Sequence, residues 1–184
     1  YMQLHYTPAR SHRRRIYIML GNTIGNIDHE PQFFQNAFAG AAPGDLLVFD
    51  ADYAFTTSMD PAEIYRQDPA LSKPVPDGHQ RWLAGPIRRY CQDVQDVSFS
   101  FRLDTNRPLA GSYGLQFIAK ISLPGQRFKE FCMWQVRRYD PASLVQCMRN
   151  LDWDHVGQVP FTGTKTRPKG VFIFQKRMPR GKQS

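Results

Sequence analysis

Apolar and polar positions along the chain change texture near its first third. "RIYIML" (15–20) is a nearly continuous apolar run, the pattern of a strand buried on both faces, and Gly21 ends it. "NIDHEPQFFQNAFAGAAPGD" then predicts a helix with Asp28 as N-cap and Pro31 in its first turn. Phe33, Phe34, Ala37 and Phe38 share its apolar face, and Gly40 stops it. "APGD" is a turn, and "LLVFDAD" (46–52) is a second buried strand that runs into carboxylates. A strand–loop–helix–strand unit of this length predicts a right-handed parallel crossover.

Beyond it, "MDPAEIYRQD" (59–68) predicts a short helix capped by Asp60 with Pro61 at its first position, and "LSKPVPDG" a Pro-rich loop. "HQRWLAGPIRRYCQDV" predicts a helix interrupted near Gly85-Pro86. β-Formers dominate "VSFSFRLD" (97–104), "YGLQFIAKIS" (113–122) and "RFKEFCMWQVRRY" (127–139), and "LPGQ" between the last two predicts an antiparallel hairpin. "DPASLVQCMRNL" (140–151) is another Asp-Pro helix start, and "WDHVGQV" with "GVFIFQKR" predicts a closing antiparallel pair. The fold class is therefore α/β, parallel first and antiparallel last. That order matches the later half of a class I, Rossmann-like methyltransferase sheet with an antiparallel β-rich insertion.

Composition narrows the classes. At 184 residues with 41% hydrophobic and 22% charged residues, the chain is long enough for one domain with a real core, or one domain with a small appendage. No apolar run reaches the roughly 20 residues of a transmembrane helix, and "YMQLHYTPARSHRRR" has no apolar core of a secretory signal. Cys91, Cys132 and Cys147 are odd in number and far apart, which predicts a reducing, cytoplasmic setting. The net charge of +8 sits at the ends: Arg10, Arg13, Arg14, Arg15, Lys176, Arg177, Arg180 and Lys182 leave 16 basic against 16 acidic residues between them. With no base-reading motif beside it, this charge predicts solvated tails rather than a nucleic-acid site. The five histidines show no metal-ligand spacing, and "DWDH" (152–155) reads as a surface turn, so no metal is expected.

"LGNTIGN" (20–26) carries the chemistry. A loop that follows a strand lies outside the carboxyl edge of the sheet, where open α/β folds bind ligands. Gly21 and Gly25 allow close backbone approach, and Asn22, Thr23 and Asn26 supply neutral donors and acceptors. The same residues would also serve as a capped helix N-terminus after a Gly turn.

Taken with "APGDLLVFDAD" and "DPAEIYRQD", which follow in order, the loop resembles the histidine-specific S-adenosylmethionine (SAM)-dependent methyltransferases of ergothioneine biosynthesis and their relatives. The match covers about residues 15 to 68 and continues weakly through "RRY" (137–139) to the closing strands. The resemblance implies SAM as cofactor, with Gly21, Asn22 and Thr23 beside its sulfonium end. It implies a small amine or amino-acid acceptor, touched by Asn26 and held by its carboxylate at Tyr65. Asp50 and Asp52 would form a polar rim or serve as helix caps.

Two departures shape the expectation. Where the family has an imidazole-gripping Glu and Ser, this chain has Trp134 and Val136, which favour a bulkier or less polar acceptor, or none. The Gly-rich cofactor loop and the ribose-holding acid have no counterpart before residue 15. The chain is thus expected to be the C-terminal part of such an enzyme, leaving an apolar sheet edge and face that a second copy or an N-terminal partner chain would cover. The expected organisation is a basic arm (1–15), a partial Rossmann-like unit (16–68), an α+β, substrate-domain-like insertion (69–126), C-terminal strands and helix completing the sheet (127–177), and a basic tail (178–184). A non-catalytic module whose basic termini bind phosphate-rich partners is the competing class.

Overall fold

The computed structural model describes residues 14–178 except 59, 92, 107–108, 126–127 and 162–167. Strand β1 (Ile16–Met19) leads through a 3-10 turn (Thr23–Asn26) and helix α1 (Glu30–Ala37) to β2 (Leu46–Asp52), which pairs with β1 in parallel. Three helices follow, α2 (Pro61–Gln67), α3 (Pro69–Ser72) and α4 (Asp77–Tyr90). Strands β3 (Asp96–Asp104), β4 (Tyr113–Ser122) and β5 (Lys129–Arg138) form an antiparallel sheet of their own. Helix α5 (Pro141–Asn150) returns the chain to β6 (Trp153–Phe161) and β7 (Lys169–Lys176). The first sheet runs β1-β2-β7-β6, with one parallel pair and two antiparallel ones. This is the parallel-then-antiparallel order expected from the sequence.

Local chemistry explains where elements start. Asp60, Asp68 and Asp140 each accept a backbone amide of the following turn, from Ala62, Ala70 and Ser143, and each precedes a proline at the first helical position. Asp45 locks the turn before β2: its two oxygens take the amides of Arg15 and Ala42, and Arg15 Nε lies 3.1 Å away.

The main core lies between the first sheet and helices α1 and α5. Phe49 on β2 stacks on Phe172 and Phe174 of β7, and Phe34, Phe38, Leu144, Met148 and Trp153 close over them. A second core packs α2–α4 on one face of the second sheet through Ile64, Val75, Ala84, Phe99, Leu115 and Phe117.

Several expectations are corrected. Asp28 does not cap α1; His29 occupies that place without a side-chain bond, because the 3-10 turn intervenes. β1 is buried on one face only, with Ile16 and Ile18 at 59% and 63% exposure, since the helices cover the other face of the sheet. This matches the apolar edge and face expected to stay uncovered. The Pro-rich loop is shorter than expected, since α3 takes Leu71 and Ser72 and α4 begins at Asp77, and α4 continues through Pro86 without a break. The carbonyl that loses its donor there belongs to Trp82, a residue on the solvent side of the helix at 75% exposure. Segment 127–177 divides: β5 joins β3 and β4, while β6 and β7 complete the first sheet.

Candidate functional site

A cavity of about 500 Å³ opens where the carboxyl ends of β1 and β2 meet the second sheet. Its floor is Gly21, Asn22 and Asn26 from the loop after β1, with Asp50 and Asp52 from β2. Its opposite wall is Phe101, Leu115, Trp134 and Val136, with Arg138 at the seam and Lys169 at the rim.

Asn22 organises the floor. It holds a left-handed backbone (φ 55, ψ 34), a conformation that asparagine tolerates better than most side chains. Its amide donates to Asp50 Oδ1 at 2.9 Å, and its Oδ1 accepts the Asp52 amide at 3.2 Å. The ends of β1 and β2 are thereby tied across their parallel seam. Gly21 also has positive φ (+84), and a Cβ there would meet nothing within 4 Å, so its backbone faces open space. Thr23 is turned back on its own loop, its hydroxyl donating to the Leu20 carbonyl at 2.7 Å, and it does not line the cavity.

The far wall comes from the alternation of β5. Trp134, Val136 and Arg138 share one face; Trp134 stacks on Phe117 at 4.0 Å and Val136 pairs with Leu115. Trp134 and Val136 thus line the cavity beside Phe101 and Leu115. Tyr65 stands outside the cavity: it is 42% exposed, and its hydroxyl accepts the Leu103 amide at 3.5 Å. The structure brings together Gly21, Asn22, Asn26, Trp134 and Val136, and leaves Thr23 and Tyr65 apart.

Arg137, Arg138 and Tyr139, which the sequence offered only as the "RRY" of a resemblance and without a role, bolt the two sheets together. Arg138, 3% exposed, lies 2.6 Å from Asp68 Oδ2 in a charge contact and 3.5 Å from Asp52 Oδ2, with its guanidinium over the Phe55 ring. Tyr113 donates to the same Asp68 oxygen at 2.9 Å; burial, and then the Asp68 charge, pushes its phenol up. On the other side of the strand, Arg137 caps the carbonyls of Ile27, Asp28 and Asn106 and lies 3.2 Å from Glu30 Oε1. Tyr139 donates to the Ile24 carbonyl at 2.9 Å and lies 2.8 Å from Glu30 Oε1. Burial raises the Tyr139 phenol and also the Glu30 carboxyl, the latter against the opposing pull of its hydrogen bonds and Arg137. The available signal was the third Asp-Pro start, at Asp68, and three long polar side chains ending a strand whose neighbours are apolar.

The basic ends are only partly described. Arg15 pairs with Asp45, Arg177 with Asp152 and Asp154, and Lys176 donates to the Leu151 carbonyl. The "DWDH" stretch thus serves as the Arg177 partner. Arg10, Arg13, Arg180 and Lys182 lie outside the described residues. Among the described residues no helix is long and apolar enough to cross a membrane.

No protein-family model and no curated protein matches the chain. Solved structures similar to it include a SAM-dependent methyltransferase from Clostridium acetobutylicum, with TM-score 0.46, 10% identity, and 93% of this chain on 62% of that one. The CcbJ methyltransferase from Streptomyces caelestis is similar at TM-score 0.41 and 11% identity, covering 92% of this chain and 64% of that one. The glycopeptide N-methyltransferase MtfA, complexed with S-adenosyl-L-homocysteine, is similar at TM-score 0.38 and 12% identity, covering 93% and 57%. The chain spans less than two thirds of the length of each.

Proposed function

We propose that this chain forms the acceptor side of a SAM-dependent methyltransferase acting on the nitrogen of a small amine or amino acid. The observation that carries the reading is the cavity itself. It lies at the carboxyl edge of the parallel strands, floored by a left-handed Gly21–Asn22 turn and two strand-end carboxylates, and faced by an aromatic wall.

The floor fits the cofactor's sulfonium end in part. Gly21 leaves room for close backbone approach, and Asp52 is an anion on the same floor beside which a cationic group is stabilised. Bound there, SAM would supply a methyl group to the acceptor nitrogen, whose lone pair makes the new bond while sulfur keeps the old bonding pair. What the chain contributes is position and dryness. Asn22 fixes the floor, Arg138 fixes its distance from the wall, and Trp134, Val136 and Leu115 exclude water. Asn26, on the floor, would touch the acceptor. The relation to histidine-type methyltransferases is part of this proposal, and Tyr65 would have to move to hold an acceptor's carboxylate.

Calorimetric titration of the full chain with S-adenosylhomocysteine tests the reading, with intact mass recorded on the same sample. Micromolar binding is expected, weakened by Asn22→Ala. Binding to phosphate-rich ligands that collapses with salt, without nucleoside binding, would favour the interaction-module alternative instead.

A further inference from the structure

Resting on the methyl-transfer reading, we infer that the acceptor is an arylalkyl amine carrying no carboxylate, whose ammonium docks at Asp50 and loses one proton to solvent before its freed lone pair takes the methyl, while Trp134 and Phe101 seat its ring. The charges around the cavity lead there. Arg138 is held by two carboxylates, Asp52 and Asp68, and Lys169 lies over the Phe161 ring at 5.1 Å. Asp50 differs. It is 7% exposed, lines the cavity and accepts the neutral Asn22 amide, yet no ion pair to it is present among the described residues. A carboxylate so far removed from water is stabilised by a cation, and the cavity is the open approach to it.

The remaining lining fixes what that cation carries. Trp134 stacks on Phe117, and Phe101 meets the same ring edge-on at 4.9 Å, so two aromatic side chains backed by a third face the floor. Leu115 and Val136 fill between them. Such a wall favours a flat apolar body, and an indole face also favours a nearby ammonium. A carboxylate on the same molecule would meet Asp50 and Asp52 as like charges. Arg138, which brings a guanidinium to the lining, is already paired with Asp52 and Asp68, and the Tyr65 hydroxyl is engaged elsewhere.

The test is calorimetry on the full chain with phenethylamine, phenylalanine and phenylethanol, in parallel with S-adenosylhomocysteine, on wild type, Asp50→Asn and Trp134→Ala. Phenethylamine should bind at least about tenfold tighter than either analogue. Asp50→Asn should abolish that preference over phenylethanol, and Trp134→Ala should weaken both. Equal or tighter binding of phenylalanine overturns the inference. So does an Asp50→Asn variant that weakens S-adenosylhomocysteine but leaves phenethylamine unchanged, because Asp50 would then belong to the cofactor. Nucleoside binding with no amine binding overturns the inference and leaves the methyltransferase reading intact. Amine binding without nucleoside binding overturns the methyltransferase reading and with it the amine's role as acceptor, and failure of both sinks both. Should Asp50→Asn not fold, the three-ligand comparison on wild type decides alone.

Discussion

The Tyr139 hydroxyl lies 2.8 Å from Glu30 Oε1 and 2.9 Å from the Ile24 carbonyl, so one phenolic proton faces two acceptors. Donation to Glu30 Oε1 favours the carboxylate, but burial outweighs it and raises the Glu30 carboxyl above the ordinary value of 4.5.

A stability consequence has a definite sign. The folded chain holds the Glu30 proton more tightly than the unfolded one, so stability from this group is full below about 4.5 and lost as pH rises through the raised value. Glu30→Gln removes the dependence. Urea unfolding across about pH 4 to pH 8 should show the variant gaining on wild type as pH rises. Parallel curves would mean that the carboxyl titrates normally.

Arg138 neutralises two buried carboxylates, and its loss leaves both without their guanidinium. Arg138→Met should cost about 3–5 kcal/mol, with a large part recovered in the Asp68→Asn double variant. A loss below about 1 kcal/mol in chemical denaturation would show the ion pairs to be dispensable.

Asn22 contributes both backbone conformation and side-chain clamp, and two variants separate these. Asn22→Gly keeps the left-handed turn and loses the bond to the Asp52 amide, at about 1 kcal/mol. Asn22→Ala should lose roughly 1–2 kcal/mol more from backbone strain. Thermal unfolding that ranks glycine below alanine would contradict the backbone strain, and a glycine variant as stable as wild type would contradict the clamp.

The thiols should separate by reactivity. Cys91 and Cys132 are exposed, whereas burial pushes Cys147 up to about 11. Brief alkylation at mildly alkaline pH should modify the first two and spare Cys147, read by peptide mass. Equal labelling would mean that α5 opens readily.

What the sequence made legible was local. Strands β2 and β4 have the ends that their apolar runs suggested, and Asp60-Pro61 and Asp140-Pro141 start helices because cap and proline act within one turn. The floor loop and the Trp134–Val136 wall were legible for the same reason. Tertiary decisions were not. Nothing in "RIYIML" tells which sheet face a helix covers, and nothing in "WQVRRY" tells that two adjacent arginines point into the protein from opposite faces. Buried guanidinium groups depend on partners 70 or more residues away in the chain, such as Asp68 and Glu30.

The ladder between β4 and β5 has a register shift at Phe117/Ile118, where Trp134 and Cys132 face successive residues and Met133 is the extra one. The bulge absorbs Met133, so Trp134 to Tyr139 keep the facing of a regular ladder. The strand is therefore divided by position into tolerant and intolerant lengths. Residues added at the Pro124–Gly125 tip should pass unnoticed, and deleting Met133 should leave Cys132 opposite Ile118 and Trp134 opposite Phe117. Deleting Gln135 instead would put Arg137 and Arg138 on each other's faces and turn Val136 out of the wall. Length variation among related proteins should therefore collect at the tip and at Met133, and be absent between Trp134 and Tyr139.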